Sequence, residues 1–377
     1  MVEWKKLVAV SDVLYGYPFE SSQFSEDSAY MPIIRIRDVK PAKASTYYSG
    51  EFNEAYRIKK GDILVGMDGE FNLGKWDDRD GLLNQRVLKI KGKDGFCIDG
   101  YLFHYLGPVF KKIEKETAGG SVKHLSAKVI NSVLIPIPSL SEQERIVGIL
   151  DTFTAGIKNI KEQIAQRRKQ YEYYRDQLLD LEGKDGKDIH CWGEFCEMEK
   201  GNGVQKVDFV DEGIGCIHYG QIYTHYGPYT YETNKYVSKE VFDKAKKASK
   251  GDVIMTDTSE NVEDICKSVA WLGDNDIAVS NHALIIRHNQ NPKFISYSTQ
   301  TSSFFIQKRK VVFGAKVSGI KPGHLAQIKI YLPSLSEQQR IVSILDTFEA
   351  SISNLEAQLK QREKQYEYYR NKLLTFE

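Results

Sequence analysis

The segment PSLSEQERIVGILDTFTAGIKNIKEQIAQRRKQYEYYRDQLLDLE, residues 138–182, returns at residues 333–377 as PSLSEQQRIVSILDTFEASISNLEAQLKQREKQYEYYRNKLLTFE. The copies lie 195 positions apart without a gap, and 30 of their 45 positions are identical. The stretches before them, residues 1–137 and 191–332, are much less alike. A chain that keeps one module nearly constant while its companion diverges reads as one that docks the same partner twice and touches two different targets.

Each copy carries an apolar seam at heptad spacing. In the first it runs through Ile146, Leu150, Phe153, Ile157, Ile160, Ile164, Arg167, Tyr171, Tyr174, Leu178 and Leu181. In the second it runs through Ile341, Leu345, Phe348, Ile352, Leu355, Leu359, Arg362, Tyr366, Tyr369, Leu373 and Phe376. This 4-3 alternation predicts two coiled-coil helices. Ser141 with Glu144, and Ser336 with Gln339, stand in capping-box spacing behind a proline and mark the starts. A helix of about 40 residues is roughly 60 Å long. Neither helix stays soluble with its seam exposed, so they pack on each other or on a partner. The linker at 183–190, GKDGKDIH, is short and glycine-broken. Parallel helices would require the second variable block to carry the chain back the full helix length, whereas antiparallel helices need only the short linker. The antiparallel arrangement is therefore expected, with one variable block at each end of a rod and a pseudo-twofold axis through its middle. The seam arginines, Arg167 and Arg362, are read either as stems that pack while their heads reach water or as polar register devices.

The variable blocks share an order of features. Each opens near a tryptophan (Trp4, Trp192), followed by a hydrophobic strand with polar residues after it, PIIRIRDVK at 32–40 and GCIHYGQIY at 215–223. A Gly-Asp strand start comes next, GDILVG at 61–66 and GDVIMT at 251–256, then an Asn-led strand, NQRVLKI from Asn84 and NHALIIR from Asn281. A last loop, GGSVKHL at 119–125 against GAKVSGI at 314–320, already stands in the 195 offset. Short runs bounded by Gly, Asp and Asn read as twisted sheet with a few helices, such as 238–249. The expected fold class is α/β (α+β): two similar mixed α/β domains, 1–137 and 191–332, joined by two long antiparallel coiled-coil helices, 138–182 and 333–377, in a pseudo-twofold internal repeat.

Bulk properties narrow the function. The chain has 377 residues, enough for two or more domains. It is 41% hydrophobic and 27% charged, with a mean hydropathy of −0.43 and a net charge of +1, so any basic surface is local. No apolar run reaches membrane-spanning length, and MVEWKKLVAV lacks the apolar core of a signal peptide. Five scattered cysteines fit a reduced cytoplasm rather than a disulfide framework.

Several motifs point to chemistry only on the surface. GEFNLGKW at 69–76 matches the glycine–lysine spacing of a phosphate loop, but Trp76 replaces the Ser or Thr that would hold magnesium. Asp77, Asp78 and Asp80 would then repel phosphate. Cys191, Cys196, Cys216 and His218 have no usual structural zinc spacing, and buried thiols are the ordinary reading. Asn291-Pro292 approaches an adenine-methyltransferase motif, but Lys293 breaks it. No nucleophile elbow, zinc-protease signature or nuclease core is evident. The chain is expected to do no bond chemistry and to hold no metal.

The order variable block, P-S-L-S-E-Q-x-R-I-V helix, variable block and the same helix resembles the specificity subunit of Type I DNA restriction-modification systems, over the whole chain. The resemblance implies that the variable blocks are target-recognition domains, each reading one half of a bipartite double-stranded DNA site. It implies that the helices are a spacer and a docking platform for two methyltransferase (modification) subunits, with restriction subunits joining further out. S-adenosylmethionine and ATP would then sit on those partners, with no cofactor in this chain, a cytoplasmic location and no membrane partner. A coiled-coil scaffold whose end domains bind proteins or glycans is the alternative from another class.

If DNA is the target, contacts fall in basic and aromatic clusters beside loops. In the first block these are Arg35, Arg37, Lys40 and Lys43, then Lys75 and Arg79 in the glycine turn, then Ser121, Lys123 and His124. In the second they are His218, Gln221 and Tyr223, then Lys244, Lys246 and Lys247, then Lys308, Arg309, Lys310, Lys316 and Ser318. Arg, Gln and His offer directional donors for base edges, and Lys positions on phosphate. For each residue a solvated surface charge is the competing reading, and for the clusters just before the helices so is a contact to the methyltransferase. Beside the seam each helix carries a second set of large residues: Val147, Ile149, Tyr173 and Leu179, against Val342, Ile344, Tyr368 and Leu374. That stripe is either a partner surface or a widening of the seam beneath the recognition domains.

Overall fold

A computed structural model of the chain describes residues 2–117, 123–314 and 318–376. It divides into two compact units, Met1–Lys161 with Ala357–Glu377, and Glu162–Glu356.

In the first unit a four-stranded sheet runs in the order Ser11–Tyr15, Val87–Gly92, Ile63–Gly66, Leu73–Lys75. A second sheet runs Phe24–Ser25, Tyr47–Tyr48, Met31–Ile34, Gly81–Leu83, Arg57–Ile58, and Glu3–Lys6 pairs with Leu134–Ile137. The second unit repeats the plan. One sheet runs Cys196–Lys200, Ala283–His288, Val253–Thr256, Ser268–Trp271, Tyr229–Thr230; the other runs Phe209–Val210, Lys235–Val237, Ile214–Ile217, Ile277–Val279, Lys246–Ala248. Here Ile189–Cys191 pairs with Lys329–Tyr331, so a strand begins inside the stretch read as linker. Both units are mixed α/β.

Local chemistry explains the match. Gly61 and Gly251 open equivalent strands at φ +96 and +99, a conformation cheap only for glycine. The aspartate after each one accepts from a backbone N–H three residues back, Lys59 N to Asp62 and Ser249 N to Asp252, both at 2.8 Å. Trp76 and Trp271 occupy one position: each indole donates at 2.9 Å to a nearby carbonyl, Arg79 O or Asn275 O. The apparent phosphate loop is therefore a strand, Leu73–Lys75, leading into a buried tryptophan. Gly74 is small because a Cβ there would meet Val39 O at 2.1 Å.

Several sequence expectations change in detail. The stretches 32–40 and 215–223 are each a strand followed by a short helix, Ile36–Val39 or Tyr219–Thr224, because Asp38 and Gln221 accept the backbone N–H three residues earlier. Residues 238–249 hold the helix Lys239–Lys244 and then a strand. Trp4 and Trp192 are not equivalent: Trp4 lies exposed on the strand Glu3–Lys6, whereas Trp192 starts a short helix and is fully buried, as Leu7 is in the first unit.

The long helices span Leu140–Leu179 and Leu335–Leu374, so Leu181 and Phe376 lie beyond their ends. Their caps sit two residues before the predicted ones. Ser139 and Ser334 accept from Glu142 N and Glu337 N, and the first helical bonds run from Gln143 N to Ser139 O and Gln338 N to Ser334 O. Glu142 and Glu337 do not reach back to the cap; each takes a two-pronged bond from Arg145 or Arg340.

The helices pair antiparallel within each unit. In the first, Phe153 stacks on Tyr369 at 5.2 Å and Lys161 meets Glu363 at 3.1 Å; in the second, Tyr174 stacks on Phe348 at 5.5 Å and Arg168 meets Glu356 at 2.6 Å. The seam arginines lay their guanidiniums over rings, Arg362 on Phe153 at 5.8 Å and Arg167 on Phe348 at 5.9 Å. That is the packing-stem reading with a cation–π contact added. Ile146 and Leu150 share a core with Leu374 in the first unit, as Ile341 and Leu345 do with Leu179 in the second.

Candidate nucleic-acid interface

In both units the Asn-led turn before the central strand ends on a non-glycine residue in the left-handed region, Arg86 at φ 68 and His282 at φ 66. Backbone bonds fix both corners alike. Arg86 O accepts from Met67 N at 2.8 Å and Met67 O from Leu125 N at 2.7 Å; His282 O accepts from Asp257 N at 3.1 Å and Asp257 O from Ile320 N at 3.0 Å. Beside the first corner lies a cleft of about 480 Å³, lined by Arg35, Arg37, Glu70, Asn72, Asn84, Gln85 and Arg86 among others. Arg86 pairs with Asp68, whose other oxygen meets His124 Nδ1 at 2.6 Å. Burial works to raise the Asp68 carboxyl, but the bonds from His124 and Arg86 outweigh it and hold the group below its usual range. In the second unit Thr258 Oγ1 lies 3.2 Å from His282 Nδ1 and donates to Asp257 at 2.9 Å, and Asp257 also pairs with Lys200 at 3.0 Å.

The candidates from sequence separate by environment. Arg35 and Arg37 line the first cleft; Arg37 is steadied by Ser45 Oγ at 3.1 Å and Thr46 Oγ1 at 2.8 Å. Lys40, Lys43, Lys75, Lys244, Arg309 and Lys310 are exposed. Arg79 instead binds the carbonyls of Ser28 and Tyr30 and lies over Tyr47, which commits it to holding the 28–30 turn. Lys123 reaches Glu114 at 3.6 Å. Lys246 pairs with Glu199 at 2.5 Å, and Lys247 caps the carbonyls of Asp243 and Ala245 at 3.3 Å. His218 is buried, and its Nδ1 accepts from Gly220 N at 3.1 Å; burial, with Lys206 and His282 nearby, pushes its pKa down and keeps it neutral. Gln221 bonds Asn234, and Tyr223 donates to Thr258 O at 2.6 Å.

Lys308 does not face solvent. It is 4% exposed and donates to Glu263 O at 2.9 Å and Ile265 O at 2.7 Å, and burial pushes its pKa down. Ser318 is also buried, in a short strand. Ser121 and Lys316 lie outside the described residues. The corner residues Gln85, Arg86, Asn281 and His282 were absent from the candidates, although the matched Asn-led turns were the signal, since such turns admit positive φ. The cysteines play packing roles: Cys216 is in the core and Cys196 donates to Trp192 O at 3.0 Å. Among the described residues no group of three or more His, Cys, Asp or Glu is placed to hold a metal, and no helix is long and apolar enough to cross a membrane.

A family model described as the Type I restriction modification DNA specificity domain matches residues 1–167 and again 186–364. The chain belongs to this family. Specificity subunits are its non-catalytic members, the enzymatic activity lying in their partner subunits. Among relatives of this specificity subunit, the Type I restriction enzyme EcoBI specificity subunit of Escherichia coli is 36% identical over 171 residues, 45% of this chain and 36% of that protein. A putative type I restriction enzyme specificity subunit of Haemophilus influenzae, S.HindORF215P, is 26% identical over 100% of this chain and 96% of its own length. The fold is shared with the S subunit of a Type I restriction-modification system from M. genitalium, with a TM-score of 0.61 at 15% identity over 100% of this chain and 97% of that one. A chain from a structure of complex assembly and conformational transition in the type I R-M system gives 0.56 at 16% identity over 99% and 96%.

Half of the second stripe on the helices of the specificity subunit is consumed internally. Val342, Leu179 and Leu374 are buried in the cores of their own units, and Val147 packs against the first core beside Gly100. Ile149 and Ile344 are half-buried. Tyr173 and Tyr368 stand out, 61% and 60% exposed.

Proposed function

We propose that this specificity subunit reads a bipartite double-stranded DNA site, one half through each recognition domain, and carries two methyltransferase subunits on its paired helices. Restriction subunits join through those partners, and S-adenosylmethionine and ATP act on the partner chains in the cytoplasm. The recognition domains are residues 1–137 and 191–332, and the helical segments 138–182 and 333–377 belong to the docking platform. The observation that carries this reading is the contrast inside the duplication: the helix segments agree at 30 of 45 positions, while the two equivalent corners differ in residue type, Arg86 against His282.

The test is a domain exchange. Residues 1–137 are replaced by the corresponding block of another family member, and the methylated sites are read from the genome of a cell expressing the hybrid with its methyltransferase. One half-site should change and the other should persist. Loss of both half-sites from a folded hybrid would overturn the modular reading. In vitro, the complex should bind its duplex with an affinity that falls steeply as salt rises, because phosphate contacts release counterions.

A further inference from the structure

We propose that Arg86 and His282 are equivalent specificity-determining residues, each reading a base of its own half-site, with Arg86 selecting a guanine. The inference rests on the reading of duplex DNA as the target.

Two diverged domains hold the same corner in the same backbone bonds, and both place a large polar side chain at positive φ. Glycine would adopt that conformation without steric cost. A turn that needed only to close would be free to take it, and residues held in this region cluster at functional sites. Ala42 and Cys266 adopt it too, so it is the recurrence of a long polar side chain at two equivalent corners that carries the inference. Each side chain is also tethered from the equivalent position of the preceding strand end, Arg86 by Asp68 and His282 by Thr258. The Asp68 tether aims the group through one guanidinium nitrogen, and among the described residues its other donors have no hydrogen-bond partner.

The surroundings of Arg86 favour a base edge over a phosphate. Arg35, Arg37 and Gln85 line the same cleft, all with directional donors. Asn84, 6% exposed, also lines it, and its Oδ1 has no partner among the described residues. Arginine donates two-pronged to guanine O6 and N7, and a carboxylate such as Glu70, on the cleft wall, accepts from cytosine N4. The chemistry therefore fits a G·C pair. His282 lies edge-on to Tyr219 at 5.2 Å and offers a single ring nitrogen beyond the one facing Thr258, so its discrimination is weaker.

The test uses the full chain complexed with its methyltransferase and a pool of duplexes randomised across both half-sites. Arg86→Gly should melt close to the unmodified chain, because relief of the left-handed strain offsets the lost pair with Asp68, which keeps His124. It should lose a guanine preference at one position of one half-site, about 5- to 150-fold in relative affinity, the range a two-pronged contact supplies. Arg86→Lys keeps the charge but not the planar fork, so affinity for non-cognate duplex should hold while the same preference weakens, by less than in Arg86→Gly. His282→Gly should relax one position of the other half-site by a smaller factor. Retention of the full word by Arg86→Gly, or equal change in both half-sites, would overturn the assignment. If the unmodified complex selects no sequence at all, the DNA reading itself fails, and the corner assignment with it.

Discussion

At the helix roots the two units are near copies, and at the corners they are not. Gln143 and Gln338 are both fully buried, and both turn their amide inward to a proline carbonyl, Pro138 O at 3.0 Å and Pro333 O at 2.8 Å. Their side-chain oxygens accept the backbone N–H of Ile98 and Asn291, each at 3.0 Å. Two turns along, the partner of an aspartate common to both helices already differs: His104 Nε2 meets Asp151 at 2.8 Å, whereas Tyr297 and Lys293 both meet Asp346 at 2.8 Å. At the corners an arginine stands in one unit where the other has a histidine, with the backbone and a tether from the equivalent position in common. The corners thus differ more than the helix roots, as expected if the helices meet one kind of partner and the corners two different ones.

The comparison breaks most directly at the seam. Leu150 and Leu345 are fully buried in the cores of the first and second unit. Each change to alanine should cost about 2–5 kcal/mol through lost burial and a residual cavity. Hydrogen exchange should place the loss in the unit that carries the mutation, with DNA sequence preference intact. Unchanged protection with loss of complex assembly would mean that the residue faces a partner.

Much of this architecture was legible because it follows from periodicity and from residues with one physical use. The heptads and the short linker gave two antiparallel helices, and Gly61 and Gly251 marked equivalent strand starts because their φ excludes other residues. The cap was misplaced because Ser139 and Ser141 are alike in type, and only the burial of Gln143 decides which one begins the helix. Lys308 was read as surface from its basic run, yet it lies one helical turn from buried Phe304 on the same face. Arg86 and His282 were missed because the Asn-led stretches were read only as strand starts, and the residue type at the corner does not itself mark a left-handed backbone. The stripe of large residues was ambiguous for a similar reason: Val342 and Leu179 look the same in sequence whether they meet a partner or the core.

A second contrast is sharpened by acid. His288 ends the central strand of the second unit opposite Cys196, where the first unit has Gly92 opposite Ser11. No side chain fits at Gly92, since a Cβ would meet Cys97 O at 2.0 Å. Burial pushes the His288 pKa from an ordinary value near 6.5 to about 4. The folded chain therefore keeps this ring neutral while the unfolded chain takes up a proton. Its contribution is whole above about pH 6.5 and is lost as pH falls toward 4, by about 3 kcal/mol in all. His288→Asn, whose side-chain oxygen can accept from Gln290 N in place of Nδ1, should remove that part of the acid loss. An unaltered pH profile of second-unit unfolding would show that His288 is not its source.

The aspartate pair gives a smaller difference. Asp346→Ala strands a half-buried ammonium and a buried phenol, whereas Asp151→Ala strands one imidazole that still has Tyr366 at 3.0 Å. Both should destabilise, Asp346→Ala by about 2–3 kcal/mol and Asp151→Ala by about 1 kcal/mol. Equal losses in urea unfolding would mean that the two attachments are energetically the same despite their chemistry.

The smallest effect on stability is expected at the exposed tyrosines, where the two units are again alike. Tyr173 and Tyr368 lie edge-on to their neighbours Tyr174 and Tyr369, at 5.3 and 5.2 Å, and are largely exposed, with Lys372 Nζ 6.0 Å from the Tyr368 ring. With Val342, Leu179 and Leu374 consumed by the cores, these two residues are the clean probes of the twin stripe. Tyr173→Asp and Tyr368→Asp should each change stability by no more than about 0.5 kcal/mol, as surface substitutions do. If the stripe seats the methyltransferase twice, each variant should lose one of two partners and the double variant both, counted by native mass spectrometry. The unmodified chain should then saturate at two methyltransferases. Saturation at one would break the equivalence of the helices as docking surfaces. Full occupancy by the double variant would shift the contact to the half-buried Ile149 and Ile344, or off this face of the helices.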